Sequence, residues 1–390
     1  MRQVYLDYAA TTPLDPRVFE AMRPLFLDVY GNASSTHSVG QMAKRVLEES
    51  RKIVAGLMRA EDGELVFTGS ATDSNNLALK GHAFALGREK AHIAVSAVEH
   101  DCVLNSAKWL EGKGFRVTYL PVDKYGLLDL QRLEEVLDTD VSLVSAIHGN
   151  NEIGTINPLK EIGRICHEHG ALFHSDAAQS FGKIPIDVNE MNIDLMTVNA
   201  HKLYGPKGVG ALYVREGTKL DPLLHGGGHE FGLRSSTENV PGIAGFAKAV
   251  ELRREEMDKE ASTMIGMRDR LIDNVLCLDE AYLNGHPAKR LPNNTNFRFS
   301  YIDGEAIVER LDAEGVYASS GSACSSLSSE PSHVLLAIGL GPVEARGSLR
   351  ITLGRNNTED DIDYVLEVLP RVVAVLRRMS PLTPKNKLEP

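Results

Sequence analysis

From about residue 64 onward the chain repeats one pattern, in which a short apolar run ends in polar or glycine-rich residues and is followed by a segment with helical periodicity. Strands that are apolar along their whole length are typical of sheets covered on both faces. Strands that alternate with helices are joined by right-handed crossovers and lie parallel. The pattern therefore predicts an α/β fold with a mostly parallel sheet. The apolar runs are ELVF, HIAVSAV, RVTYLPV, VSLVSAI, ALFHS, DLMTV and GALYV, and the helical segments include Asp73 to Leu86, Cys102 to Gly112, Leu130 to Leu137 and Leu159 to His169.

The alternation stops at the glycine-rich stretch LLHGGGHEFG, after which a long helix with a polar face is predicted to begin near Pro241. Because 390 residues exceed what one hydrophobic core usually holds, we expect two domains. The large domain is predicted over residues 12–259, and a smaller α+β domain over residues 1–11 and 260–390, with the long helix bridging them. In the smaller domain strands are predicted in NTNFRFS, GVYASS and SLRITLG, and helices over Gly304 to Glu314 and Glu359 to Arg378.

Charge balance and cysteine spacing exclude several classes of function. The chain has 42 Lys and Arg against 53 Asp and Glu and no long basic cluster, which argues against nucleic-acid binding. No apolar run reaches the length of a membrane span, and none follows the first residue, so we expect a soluble cytoplasmic protein. The four cysteines lack metal-ligand spacing, and no metal site is predicted.

Two apolar runs end in residues suited to an aromatic aldehyde cofactor. HSDAAQSFGK places Asp176 and Gln179 after ALFHS, and VNAHKLYGPKGVG places His201 and Lys202 after DLMTV. Since parallel strands end at the same sheet edge, we expect these side chains to emerge together. A lysine there can form a Schiff base, and an acid can hold a pyridine nitrogen protonated. Either half alone is more often an ordinary surface or turn residue; the two together favour a cofactor site.

The stretch FTGSATDSNN lies between a predicted strand and a predicted helix, and we expect Thr72 or Asp73 to begin that helix. Backbone N–H groups and the positive end of a helix would suit a phosphate there. Neither the G-x-G-x-x-G fingerprint nor a P-loop lysine is present. An ordinary capped helix is the alternative, and the predicted proximity of Asp176 and Lys202 favours a phosphorylated cofactor.

Three further polar residues lie where they could contact a ligand. His100 follows a strand end and could stack on a ring; otherwise it caps a helix or is a satisfied buried group. Asn151 follows VSLVSAI and could donate to a cofactor or substrate oxygen, unless it is only a turn residue. Arg350, in SLRITLG, could bind a substrate carboxylate with its planar fork, and the alternative is a surface arginine.

Cys324 is surrounded by small and hydroxylated residues in SSGSACSSLSSEP, which provides neither apolar packing for a buried thiol nor a partner for a disulfide. We therefore predict an exposed, reactive thiol, with an unimportant surface thiol as the alternative. Cys102, Cys166 and Cys277 have apolar neighbours and are predicted to be core or near-surface thiols.

With these residues assembled, the chain resembles the NifS/IscS-type cysteine desulfurases of the class V aminotransferase family, which are pyridoxal 5'-phosphate enzymes of fold type I. The resemblance runs nearly end to end and implies a large domain with a mostly parallel sheet plus a smaller α+β domain. The matching segments include YLDYAATTP, GSATDSNN, EHDCV, NNEIGT, DAAQSFGK, HKLYGPKGVGALY, RSSTEN, SSGSACSS, EPSHVL and LRITLGR.

The resemblance implies a role for each matching position. Lys202 would form the Schiff base with pyridoxal phosphate, Asp176 would pair with its pyridine nitrogen, and Gln179 would bond its ring hydroxyl. His100 would stack on the ring and belong to the catalytic group with Lys202 and Cys324. The remaining implied contacts are Ala71, Thr72, Asn199 and His201 on the cofactor, Thr237 from the second subunit of a homodimer, Asn151 on cofactor and substrate, and Arg350 on the substrate carboxylate.

The implied reaction converts L-cysteine to L-alanine, with Cys324 taking up the sulfur as a persulfide. The sulfur would pass to an iron–sulfur scaffold or another sulfur-acceptor protein. Two alternatives stay open: a selenocysteine lyase or other class V aminotransferase-family enzyme, and a scaffold subunit that keeps the fold without turnover. The sequence departs from the family pattern at Asn199, Ala200, Phe231 and Ser236.

Overall fold

A computed structural model describes residues 2–321 and 330–384. Its strands are β1 (Val4–Tyr5), β2 (Leu65–Thr68), β3 (His92–Ser96), β4 (Arg116–Leu120), β5 (Leu143–Ser145), β6 (Leu172–Asp176), β7 (Leu195–Asn199), β8 (Gly210–Val214), β9 (Ala281–Leu283), β10 (Asn294–Phe299), β11 (Val316–Tyr317) and β12 (Ser348–Thr352). Its α-helices are α1 (Pro16–Met22), α2 (Pro24–Leu27), α3 (Ser38–Leu57), α4 (Ala71–Asn76), α5 (His82–Leu86), α6 (Asp101–Gly112), α7 (Leu130–Leu137), α8 (Leu159–Glu168), α9 (Val240–Val275), α10 (Gly304–Ala313), α11 (His333–Ala337), α12 (Pro342–Arg346) and α13 (Glu359–Met379).

The large sheet has the strand order β2-β8-β7-β6-β5-β3-β4. The pairs β3–β4, β3–β5, β5–β6 and β6–β7 are parallel, so the predicted mostly parallel sheet is confirmed. Each predicted apolar run supplies one of its strands. The exception to parallel pairing is β8, which is antiparallel to both β2 and β7. Only residues 200–209 join β7 to β8, which is too short for a crossover, so the chain turns back on itself.

The sheet is buried on both faces except at its edge strand β4. In β3, Ala94 belongs to one hydrophobic cluster, whereas Ile93 and Val95 belong to the cluster on the other face. In β7, Met196 belongs to the same cluster as Ala94, and Leu195 belongs to the cluster on the other face. Because successive side chains of a strand point to opposite faces, a strand covered on both sides needs an apolar residue at nearly every position. Burying one such side chain stabilises the fold by about 1.5–3 kcal/mol, which explains why these runs do not alternate with polar residues.

A separate hydrophobic cluster surrounds the three-stranded antiparallel sheet β12-β10-β9. Leu6, near the start of the chain, packs in this cluster together with Phe297 of β10 and Leu349 of β12. The strands and helices predicted for this part of the chain are confirmed where the structure describes them. The division into residues 12–259 and residues 1–11 with 260–390 stays a prediction.

The long helix predicted near Pro241 is confirmed as α9, which begins at Val240. The side chain of Asn239 accepts a hydrogen bond from the N–H of Gly242 and so caps the helix. Its first half packs in the large-sheet cluster through Phe246, and its second half packs in the other cluster through Leu271. Within residues 2–321 and 330–384, no helix has both the length and the apolarity that a membrane crossing requires.

Candidate active site

The carboxyl ends of β3, β5, β6 and β7 border a cavity of about 210 Å³. This is the edge at which parallel α/β sheets bind ligands, because the strand order changes direction between β3 and β5. The residues around the cavity are Ala9, Ala10, Ser70, Ala71, Thr72, His100, Cys102, Ile147, Asn151, Asp176, Ala178, Gln179, Asn199, His201, Lys202 and Arg350.

Most residues that the sequence singled out line this one cavity, although they come from distant parts of the chain. Thr237 is exposed and is not among the lining residues, and its contribution to a second subunit stays a prediction. Cys324 lies outside the described residues. The predicted residues that the structure brings together here are Ala71, Thr72, His100, Asn151, Asp176, Gln179, Asn199, His201, Lys202 and Arg350.

The Lys202 amine is held by backbone carbonyl groups from the start of the chain. Its Nζ donates to the carbonyl oxygen of Ala10 at 2.7 Å and also to that of Ala9. The Lys202 backbone N–H donates to Oδ1 of Asn199 at 3.3 Å, which fixes the turn that follows β7. The lysine end is therefore directed into the cavity, where it can react with an aldehyde. Sequence analysis assigned no role to the YLDYAATTP segment that supplies these carbonyl groups.

Asp176 is the last residue of β6 and its carboxylate is buried at the floor of the cavity. Oδ2 accepts a hydrogen bond from Nδ2 of Asn75 at 2.6 Å, and Oδ1 accepts from the backbone N–H of Ala178 at 2.9 Å. The nearby Glu99 accepts from the N–H of Ile147, and burial together with the charge of Asp176 raises the pKa of the Glu99 carboxyl well above its usual range. Burial beside the Asp176 carboxylate therefore favours the neutral form of Glu99 over a second negative charge at this place.

The turn between β2 and α4 brings backbone N–H groups to the cavity. Helix α4 begins at Ala71, and the Ser70 hydroxyl caps it by accepting from the Asp73 N–H at 3.1 Å. The expectation that Thr72 or Asp73 begins the helix was wrong, because the Asp73 carboxylate is used elsewhere. It accepts from the Gly69 N–H at 2.8 Å and pairs with Arg234 at 3.1 Å, so it stabilises the turn.

His100 lines the cavity and also caps α6, which was the alternative interpretation of this residue; stacking on a ring stays a prediction. Its Nδ1 accepts from the backbone N–H of Cys102 at 3.2 Å and lies 3.0 Å from the Cys102 sulfur. That sulfur also accepts from Asn75 at 3.1 Å. Sequence analysis predicted a core or near-surface thiol for Cys102 and missed its place in the cavity wall, because the sequence neighbours of Cys102 are apolar. Cys166 is buried and Cys277 is exposed.

His201 lies beside Lys202, and its Nδ1 is 3.1 Å from the hydroxyl oxygen of Thr11. Burial, followed by the charges of Lys202, Lys207 and Lys183, lowers the pKa of His201 to about 4. The imidazole is therefore uncharged near neutral pH. A neutral imidazole still has one N–H group that can donate to an anion.

Arg350 is 1% exposed, which excludes the alternative of a surface arginine. Its Nη1 donates to the carbonyl oxygen of Asn151 at 3.0 Å, and its Nη2 pairs with Oδ1 of Asp7 at 2.8 Å. Among the described residues, neither Nε of Arg350 nor the buried Oδ1 of Asn151 has a hydrogen-bond partner. Buried polar atoms are nearly always satisfied, so unsatisfied atoms at the wall of a cavity indicate a polar ligand. Sequence analysis missed Asp7, which lies 343 positions from the arginine.

Comparison with known proteins identifies the family of this chain. The chain matches the family model described as aminotransferase class-V over residues 4–365. It is 53% identical to a protein named cysteine desulfurase IscS 1 from Archaeoglobus fulgidus, over 97% of this chain and 99% of that one. A solved NifS-like protein has a TM-score of 0.90 and 38% identity, covering 96% of this chain and 100% of that one. A structure of SspA in complex with cysteine has a TM-score of 0.78 and 41% identity, covering 90% and 99%.

Proposed function

Because this chain belongs to the class-V aminotransferase family, we propose that it is a pyridoxal-phosphate-dependent cysteine desulfurase that converts L-cysteine to L-alanine and transfers the sulfur to Cys324. One observation carries this proposal: a lysine, a buried aspartate and a buried arginine with an unsatisfied N–H line the same cavity. The relatives' names support the substrate, since IscS 1 is named a cysteine desulfurase and the SspA structure is a complex with cysteine.

The side chains of the cavity fit pyridoxal phosphate. When bound, this cofactor supplies an aldehyde that condenses with amines and a ring that withdraws electrons from an attached amino acid. Lys202 would hold the aldehyde end, since its Nζ is directed into the cavity by two carbonyl groups. The backbone N–H groups at the start of α4, together with Thr72 and the neutral His201, would bind the phosphate.

Asp176 would hold the proton on the pyridine nitrogen. Its two oxygens are fixed by Asn75 and Ala178, so the carboxylate cannot turn away from the cavity. A carboxylate buried and oriented in this way keeps a nearby cationic N–H charged. The Asp176 carboxylate would therefore stabilise the protonated ring, which is the form that accepts electrons from the attached amino acid.

Arg350 and Asn151 would bind the substrate carboxylate. The ion pair with Asp7 and the bond to the Asn151 carbonyl hold the guanidinium plane in place and leave Nε available. A carboxylate seated on this planar fork would position the α-carbon of the amino acid for proton removal by Lys202.

Cys324 would be the sulfur acceptor. Its thiolate would attack the substrate sulfur, so that a sulfur–sulfur bond forms, the carbon–sulfur bond breaks and the electron pair of that bond stays with carbon. Although Cys324 is outside the described residues, the chain on either side is anchored near the cavity. Ser319 pairs with Arg350 through two backbone hydrogen bonds, and the Ser332 hydroxyl donates to Glu152 at 2.6 Å. Ser319 thus lies next to the proposed carboxylate-binding Arg350, and Ser332 contacts the residue that follows Asn151.

We also propose a homodimer and a protein that accepts the sulfur. Thr237 is exposed, and its loop is tied to the phosphate-binding turn by the Arg234–Asp73 ion pair. Because Thr237 is exposed and does not line the cavity of its own chain, it would complete the phosphate site of a second copy of the chain. The acceptor would be an iron–sulfur scaffold or another protein that carries a thiol.

Incubation of the loaded protein with L-cysteine and a thiol reductant tests the reaction. We expect alanine and sulfide to form in equal amounts. Amino-group transfer to a keto acid without sulfide release would contradict the proposal. L-selenocysteine assayed in parallel would show whether the enzyme distinguishes sulfur from selenium.

Replacing Arg350 with lysine is expected to lower kcat/KM for L-cysteine about 10- to 150-fold, mainly through KM. Lysine keeps the charge but lacks the planar fork, and a hydrogen bond to a charged group contributes about 1.5–3 kcal/mol. Steady-state kinetics measure the change. Arg298→Lys is the matched control, because Arg298 is on the neighbouring strand β10 and is not among the cavity-lining residues. An equal loss of binding for cysteamine, which has no carboxylate, would rule out the assigned contact.

A further inference from the structure

Lys183 lies four residues after Gln179, in the series of turns that follows β6. Hydrogen bonds from the Phe181 N–H to the Ala177 oxygen and from the Ile184 N–H to the Ser180 oxygen, at 2.9 and 3.1 Å, give this segment a helix-like path. Side chains four positions apart on such a path lie next to each other. Accordingly, Nζ of Lys183 donates to Oε1 of Gln179 at 3.2 Å.

Lys183 also lines a second cavity, of about 10 Å³, which is bordered by Lys202 as well. A space of this size holds about one water molecule. Within residues 2–321 and 330–384, no carboxylate lies within ion-pairing distance of the Lys183 amine. Glu260, which lines the same small cavity, is already paired with Arg253. The amide oxygen of Gln179 is thus the hydrogen-bond acceptor for the Lys183 amine.

The two neighbours of the Gln179 amide determine its orientation. In its charged form the Lys183 amine can only donate, and in the structure it donates to the amide oxygen of Gln179. The carbonyl oxygen of Ala9 can only accept, and it takes a hydrogen bond from Nε2 of Gln179 at 2.9 Å. Rotating the amide by half a turn would place donor against donor and acceptor against acceptor. Gln179 therefore presents N–H, and not oxygen, to the main cavity that it lines.

The charged surroundings of Lys183 are predominantly positive. Burial, followed by the charges of Lys202, Arg253 and Arg350, lowers the pKa of Lys183 to about 7. The other titratable groups around the small cavity are Tyr8, Tyr204 and Glu260, and Glu260 is neutralised by Arg253. An uncompensated amine in this position is costly to bury, which points to a use other than stability.

We propose that Lys183 is a positioning residue for the cofactor site: it holds the Gln179 amide so that its N–H group faces the ring oxygen of the bound cofactor. This inference rests on the proposed function, because it assumes that pyridoxal phosphate occupies the main cavity. An N–H group directed at that oxygen favours its ionised form. Below about pH 7, where the Lys183 amine is protonated, its positive charge acts in the same direction.

The test is a pH titration of the visible absorbance of the loaded protein, which does not depend on turnover. In Lys183→Met the amide keeps its bond to the Ala9 carbonyl but loses the donor that holds its oxygen, so the N–H group is held less firmly towards the ionised ring oxygen. We expect the midpoint of the titration to rise by about one pH unit, a tenfold change in the proton equilibrium. Lys183→Arg keeps the donor, and its midpoint is expected to stay near that of the parent protein.

A double substitution separates action through Gln179 from a general loss of charge. Residues that act through one contact give non-additive effects. Adding Lys183→Met to Gln179→Ala should therefore shift the midpoint much less than Lys183→Met alone. A full shift in the Gln179→Ala background, or an unchanged midpoint in Lys183→Met, would overturn the proposal. A Lys183→Met protein that cannot hold the cofactor when Gln179→Ala can would also overturn it.

The cofactor-free protein provides an independent measurement. Between pH 7 and about 10, the unfolded chain binds a proton at residue 183 that the folded chain does not, so this lysine makes stability rise with pH in that window. The Tm advantage of Lys183→Met over the parent should therefore be largest near pH 6.5 and fall by a few degrees towards pH 9.5. A pH-independent difference would contradict the buried placement of the amine. Failure of the parent protein itself to develop visible absorbance would instead reject the proposed function.

Discussion

Replacing Lys202 with alanine is expected to lower turnover of L-cysteine by at least about 10⁴-fold, since this amine is assigned both the attachment of the cofactor and the proton transfer at the substrate α-carbon. The structure supports both assignments, because two carbonyl groups hold Nζ in the cavity wall beside Asp176 and Arg350. No other lysine lines the main cavity in the described part of the chain.

Alanine formation measures the loss, and absorbance of the loaded protein after gel filtration measures cofactor retention. Lys207→Ala is a matched control, because Lys207 lies in the same turn but is exposed and does not line the cavity. The control should keep the rate and colour of the parent protein. Retention of more than about a tenth of the activity in Lys202→Ala would remove the role assigned to this amine.

Replacing Cys324 with serine is expected to abolish the protein-bound persulfide and to lower sulfide release by at least about 10³-fold. A serine hydroxyl is not ionised near neutral pH and is a far weaker nucleophile than a thiolate. The cofactor should still bind, and L-cysteine should still change its absorbance, because the residues proposed to hold both line the cavity independently of residue 324.

Peptide mass mapping after a single turnover locates the transferred sulfur. Cys277→Ser is the control for an exposed thiol, and we expect it to behave like the parent protein. Cys102→Ser is the sharper comparison, because Cys102 lines the cavity itself. Sulfur found on Cys102, or full sulfide release by Cys324→Ser, would contradict the proposed acceptor.

Much of the site could be predicted because strand ends are visible in the sequence. Asp176 and Lys202 each follow an apolar run, and parallel strands place such residues at one sheet edge. The same logic applies to His100 and Asn151, which also line the cavity. Helix starts were harder to predict, as α4 shows, since Ser70, Thr72 and Asp73 are all acceptable caps and only the structure shows that Ser70 is used while Asp73 pairs with Arg234.

Residues that support the site from a distance were not predictable. Asn75 reaches Asp176 across 101 positions and Asp7 reaches Arg350 across 343, and neither has a local pattern that points to its partner. Lys183 is similar to a surface lysine in its sequence context, yet it lies beside Lys202 in a cavity. Side-chain contacts of this kind depend on the packing of separate elements, which local sequence does not specify.

The sequence by itself determined the strand-and-helix alternation, the mostly parallel sheet and the chemistry of the residues at its edge, because apolar periodicity and strand ends are local properties. Only the tertiary structure decided which way β8 runs, which atoms hold Lys202, Asp176 and Arg350, and how the Gln179 amide is oriented. Those outcomes depend on hydrogen bonds and ion pairs between residues far apart in the chain, and such contacts form only when the elements are packed together.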